Sequence, residues 1–115
     1  MKRILVVDDN FEFLRLLSSI LKKDFEIFEA TGVQDATKLI ETVTVDAICS
    51  DYNMRDGTGI DLLKTLRRQD VKIPFMLMSA NDDFDYRLSN EVQKWDATFC
   101  CKTDYDFIAK IKAMV

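Results

Sequence analysis

Residues 3–10 read Arg3-Ile4-Leu5-Val6-Val7-Asp8-Asp9-Asn10, four consecutive apolar side chains closed by two carboxylates. Alternate side chains of a strand point to opposite faces, so an unbroken apolar run predicts a strand covered on both sides, the inner strand of a parallel sheet. Four more short runs rich in β-branched and aromatic residues follow: Phe25 to Ala30, Val45 to Ser50, Ile73 to Ser79 and Ala97 to Cys101. Stripes at helical spacing separate them: Leu14, Leu17, Ile20, Leu21; then Ala36, Leu39, Ile40, Val43; then Leu62, Leu63, Leu66; then Phe84, Leu88, Val92, Trp95; and last Phe107, Ile108, Ile111, Met114. Strict βα alternation, five times over, predicts an α/β fold with a doubly wound five-stranded parallel sheet between layers of helices. Ligands of such sheets gather outside the carboxyl ends of the strands, so chemistry is expected there.

The chain of 115 residues is one domain's worth, and 48 % apolar residues suffice for a real core. No repeat, low-complexity tract or linker interrupts it, so residues 1–115 are expected to form a single unit. Ile4 to Val7 and Ile73 to Met78, the longest apolar stretches, fall far short of the roughly 20 residues that span a bilayer. The opening Met1-Lys2-Arg3-Ile4 lacks the apolar core of a signal peptide, and a soluble, cytoplasmic protein without a membrane partner is expected. A net charge of −4 argues against direct binding of nucleic acid. The absence of histidine excludes Ser-His-Asp and Cys-His catalysis, imidazole general bases and His-ligated zinc. Cys49, Cys100 and Cys101 form no C-x-x-C pair and read as buried, reduced thiols.

What remains for chemistry stands at the strand ends: Asp8 and Asp9 after the first, Asp51 after the third, Ser79 after the fourth and Lys102 after the fifth. Each has a plain structural reading. Asp8, Asp9 or Asn10 would cap the helix that begins near Phe11, Asp51 and Ser79 would serve turns and caps, and Lys102 would be one more surface lysine. Their convergence on one edge is harder to explain that way. Three carboxylates together repel one another unless a hard divalent cation joins them, and an all-oxygen donor set suits Mg²⁺. A lysine and a hydroxyl facing the same point could each take an oxygen of a phosphoryl group, leaving one carboxylate as nucleophile.

These residues carry a resemblance over the whole chain. Ile4-Leu5-Val6-Val7-Asp8-Asp9, Asp51-Tyr52-Asn53-Met54 leading to Asp56-Gly57-Thr58-Gly59-Ile60-Asp61-Leu62-Leu63, Met78-Ser79-Ala80, and Ala97-Thr98-Phe99-Cys100-Cys101-Lys102 together resemble the receiver (response regulator) domain of bacterial two-component signal transduction systems. The resemblance implies a flavodoxin-like (βα)5 sheet in strand order 2-1-3-4-5. It implies Asp51 as phosphoacceptor, with Mg²⁺ held by Asp9, by Asp8 mainly through water, by Asp51 and by the backbone carbonyl of Asn53. Ser79 and Lys102 would hold phosphoryl oxygens, and Asn53 and Asn81 would tune water access. The donor would be a sensor histidine kinase, a phosphotransfer protein or a small acyl phosphate, the domain promoting its own phosphorylation and dephosphorylation without being an enzyme in the ordinary sense. Ser79 and Phe99 would switch the surface of helix four, strand five and helix five toward a downstream protein, an output domain or a second copy in a homodimer.

Two positions depart from the family's pattern: Arg55 and Thr103 stand where prolines are usual, the second after a lysine whose peptide bond is typically cis. A cis bond before Thr103 would cost roughly 3–4 kcal/mol, so a trans or strained peptide is expected, and a trans one would displace the Lys102 loop. Thr103-Asp104-Tyr105-Asp106 resembles a capping box for the last helix. Phe99 in place of the commoner tyrosine keeps the apolar switch and drops a hydroxyl. Rival readings fit less well. A haloacid-dehalogenase-like phosphatase needs an aspartate where Asn10 stands, Gly57-Thr58-Gly59 lacks the third glycine of a dinucleotide fingerprint, and the Asp8-Asp9-Asn10 loop is too acidic for a flavin phosphate. Asp51-Tyr52-Asn53 fails as an EF-hand at Arg55 and Leu62. The serious alternative is a receiver-like protein-interaction module that no longer takes phosphate.

Overall fold

The computed structural model describes residues 1–80 and 86–115. Asn81 and Phe84 lie outside the described residues, as does the Leu88 side chain. In chain order the elements are β1 (Arg3–Val7), α1 (Phe11–Leu21), β2 (Glu26–Ala30), α2 (Val33–Thr42), β3 (Ala47–Asp51), β4 (Asn53–Met54), β5 (Gly57–Thr58), α3 (Gly59–Arg68), β6 (Phe75–Ser79), α4 (Tyr86–Lys94), β7 (Thr98–Cys101) and α5 (Phe107–Met114). Five strands form one sheet in the order β2-β1-β3-β6-β7, and β4 and β5 make a separate two-residue hairpin. Every pairing in the large sheet is parallel. With the hairpin set aside, this is the expected flavodoxin-like 2-1-3-4-5 order.

The register sorts the sheet strands onto two cores. Leu5, Val7, Ile48 and Leu77 face Ala36 of α2, Leu62, Leu63 and Leu66 of α3, and Val92 of α4. Ile4, Val6, Ala47, Cys49, Met76, Met78 and Cys100 face Leu14, Leu17 and Leu21 of α1 and Phe107 and Ile111 of α5. Burying such a side chain fully contributes about 1.5–3 kcal/mol, and β1 is covered at every position from Ile4 to Val7 for this reason. The chain runs outward from β1 to β2 and then returns past it to β3. The crevice between the carboxyl ends of β1 and β3 is therefore the topological switch point.

Several local expectations change. Every sheet strand after β1 starts one or two residues later than its hydrophobic run does, and β3 runs one residue further, taking in Asp51. Ile20 is exposed, because the α1 stripe that meets the sheet is Leu14, Leu17 and Leu21. Trp95 is only half-buried: its indole N–H donates to Glu91 at 3.2 Å, and Arg68 and Lys94 stand over its ring. Tyr105 is fully exposed. The expected capping box at Thr103 does not form: α5 begins at Phe107, Asp106 is its N-cap without a side-chain cap bond, and the Thr103 hydroxyl lies 3.0 Å from Cys101 Sγ. All three cysteines are free and buried, as expected. Among the described residues no helix is long and apolar enough to cross a membrane.

Candidate functional site: an acidic cluster bridged by a lysine

The capping duty that competed with a functional reading of the first loop falls to Asn10. Its side-chain oxygen accepts the Phe13 N–H at 3.2 Å, which fixes the start of α1 and leaves both preceding carboxylates for other work. Asp8 is fully buried, and its Oδ1 accepts the Asn10 N–H at 2.9 Å. Asp9 is half-buried and its Oδ2 accepts the N–H of Arg55, in the hairpin turn, at 3.1 Å. A proline at that position would have no N–H to offer, so the departure at Arg55 adds a tether between the hairpin and the acidic pair.

Asp51 ends β3 beside them, and Asp8, Asp9 and Asp51 each offer a carboxylate oxygen within 4.8 Å of the others. Lys102 reaches this cluster from the end of β7. Its Nζ lies 2.6 Å from Asp8 Oδ2 and 3.1 Å from Asp51 Oδ1, and its side chain is 12 % exposed. No peptide among the described residues is cis, so the Lys102–Thr103 bond is trans, yet the lysine still points into the site. The Lys102 N–H donates to the Ser79 carbonyl at 2.8 Å and continues the β6–β7 ladder past Cys101, which holds Lys102 at this sheet edge.

The same pairing sets Ser79 opposite Cys101 at this edge, half-buried. Asn53 is exposed on β4, paired with Thr58. Phe99 lies mid-β7, half-buried against the core that faces α2 and α3. Asp8, Asp9, Asp51, Lys102 and Ser79 thus share one edge, with Asn53 close behind in sequence. Sequence reading missed Phe13, whose ring lies 4.2 Å from the Lys102 ammonium; an apolar residue one place before the buried stripe was its only signal.

Burial raises the Asp51 carboxyl above its ordinary range, the Asp8 charge raises it further, and Lys102 pulls it partly back. Three carboxylates against one ammonium leave the crevice short of positive charge. Hard, closely spaced oxygens with a surplus negative charge are what a divalent cation such as Mg²⁺ requires, so the donor set fits one.

Residues 4–97 match the response regulator receiver domain family. Among curated relatives, the alkaline phosphatase synthesis transcriptional regulatory protein PhoP of Bacillus subtilis is 30 % identical over 99 % of this chain and 48 % of its own length. The transcriptional regulatory protein CpxR of Escherichia coli is 29 % identical over 100 % of this chain and 50 % of its own. The chain spans about half the length of these two relatives. Among solved structures, response regulator TrrA of Thermotoga maritima, in complex with Mg²⁺ and a beryllium fluoride, superposes with a TM-score of 0.86 at 25 % identity, each chain covered fully. Chemotaxis protein CheY4 of Vibrio cholerae shares the fold at a TM-score of 0.90 and 22 % identity, over 100 % of this chain and 99 % of that one. Sheet order, strand-end chemistry and sequence match agree, and the chain belongs to the response regulator receiver domain family.

Proposed function

We propose that this domain receives a phosphoryl group on Asp51 from the phosphohistidine of a sensor histidine kinase or phosphotransfer protein, or from a small acyl phosphate. The observation that carries this reading is Lys102 Nζ held between Asp8 and Asp51 inside a cluster of three carboxylates. An Asp51 carboxylate oxygen attacks phosphorus in line, the bond from phosphorus to the donor atom breaks, and a mixed anhydride forms. Lys102, already at the carboxylates, holds one phosphoryl oxygen, and the Ser79 hydroxyl moves toward the group to hold another. Asp8, Asp9, Asp51 and the Asn53 carbonyl would hold Mg²⁺, which when bound neutralises the carboxylates and takes up phosphoryl charge. Water later attacks the same phosphorus, the bond from phosphorus to the Asp51 oxygen breaks, and inorganic phosphate leaves as the Asp51 carboxylate is restored, with Asn53 and Asn81 tuning the water's access.

The phosphoryl group acts as a switch by adding charge-assisted contacts to Ser79 and Lys102, which biases Phe99 and with it the surface of α4, β7 and α5. That surface would engage a downstream protein, an output domain or a second copy in a homodimer, in the cytoplasm. The absent histidine comes from the partner, consistent with a site built wholly of carboxylates, an amine and a hydroxyl. The test is incubation with Mg²⁺ and acetyl phosphate followed by intact-mass measurement. One phosphoryl adduct is expected on the native protein and none on Asp51→Asn; no adduct, or one that persists in the variant, overturns the reading.

A further inference from the structure

We infer that Phe13 is a positioning residue for Lys102, its ring holding the ammonium at the carboxylate cluster. The Lys102 Nζ lies 4.2 Å from the centroid of the Phe13 ring, well inside the roughly 6 Å over which an aromatic face attracts a cation. The ring is itself fixed from two directions. Its backbone N–H is the one that the Asn10 side chain accepts at 3.2 Å, so the cap of α1 sets where the residue stands. Its ring stacks on Phe107 of α5, centroids 6.3 Å apart and planes 17° from parallel. Phe107 is buried, with 6 % of its surface exposed.

Lys102 needs such a support in this chain. Thr103 follows it in place of a ring-constrained residue, the peptide between them is trans, and the segment 102–106 leads into α5 without a side-chain cap. The lysine's four-carbon stem has ample freedom, and the carboxylates that attract its ammonium are the groups whose charge a bound cation would neutralise. The ring's attraction survives that neutralisation. It therefore keeps the ammonium beside Asp51 when Asp8 no longer draws it, at the stage where a phosphoryl oxygen needs the donor.

This inference rests on the phosphoacceptor reading, and its test separates the two. The native protein, Phe13→Leu and Phe13→Tyr are incubated with Mg²⁺ and sub-saturating acetyl phosphate, and the rate of adduct formation is followed by mass. Leucine keeps most of the apolar volume and removes the aromatic face, so its rate should fall between about two-fold and thirty-fold, while tyrosine, which keeps the face, should stay near the native rate. Equal rates for native and Phe13→Leu, or a tyrosine variant as slow as leucine, overturn the inference. In metal-free protein, ring current should shift the Lys102 Hε resonances upfield in native and Phe13→Tyr but not in Phe13→Leu. If the native protein forms no adduct, the phosphoacceptor reading fails, and that shift alone decides the placement: its presence in both ring-bearing proteins upholds it and its absence overturns it.

Discussion

At the scale of single residues, Asp51 carries its charge in an unfavourable place. Burial and the Asp8 charge raise its carboxyl, with Lys102 only partly offsetting them, so folding favours the protonated form. A group whose folded value is raised contributes stability that is complete below its ordinary value and lost as pH rises through the folded one. In the presence of a chelator at pH 7, Asp51→Asn should therefore melt a few degrees above the native protein, and this advantage should shrink on acidification; thermal melts at several pH values check it. A variant that melts lower at pH 7 would mean that Lys102 more than compensates the buried charge. The place of Asp51 at the sheet edge was legible in sequence, because it closes an apolar run that forms a strand. Its energetic strain was not, because that arises first from burial by the packed layers and then from the charge of Asp8, 43 positions away along the chain. The thiols were legible outright: burial pushes Cys49 on β3 to about 12 and Cys100 on β7 to about 11, as expected of small apolar side chains facing the core.

The elements differ in how their ends are satisfied. Asn10 caps α1 from within its own sequence, and Thr58 with Asp61 forms a complete capping box on α3. Gly32, at the N-cap of α2, has no side chain to offer, and Asp56 in the β4–β5 turn accepts the Val33 and Gln34 N–H groups at 2.9 and 3.0 Å instead. Those two donors hold the Asp56 carboxyl below its usual range. Asp56→Ala should cost about 1 kcal/mol at neutral pH, measurable by urea unfolding. A depressed folded value contributes stability that is present above the ordinary carboxylate value and lost as pH falls through the folded one, so the gap between native and variant should close in acid. A gap independent of pH would show that the carboxylate's charge is not what stabilises α2. The two capping interactions within α1 and α3 can be read locally. The cap on α2 and the failed capping box at Thr103 depend on where other segments lie.

At the scale of the whole molecule, α3 approaches the ends of β3 and β6 closely at Gly59. A Cβ there would fall on the Asp51 carbonyl oxygen and within 2.5 Å of Leu77 Cδ1. Gly59→Ala should lower stability by about 1–3 kcal/mol, through overpacking, and slow the proposed phosphoryl transfer in the same protein, checked by urea unfolding and by adduct formation. An alanine variant with native stability would require the end of β3 to be more yielding than the two close contacts suggest. By itself the sequence determined the (βα)5 alternation, both faces of the inner strands and the residues at the strand ends, since these follow from periodicity and side-chain direction, which are local. Only the tertiary structure decided the bridging of Asp8 and Asp51 by Lys102, the tether from Arg55 to Asp9, the cap on α2 and the ring of Phe13 over the ammonium. Each of those joins segments distant along the chain, and side-chain distances between such segments are set by how the packed layers meet, not by any pattern within one of them.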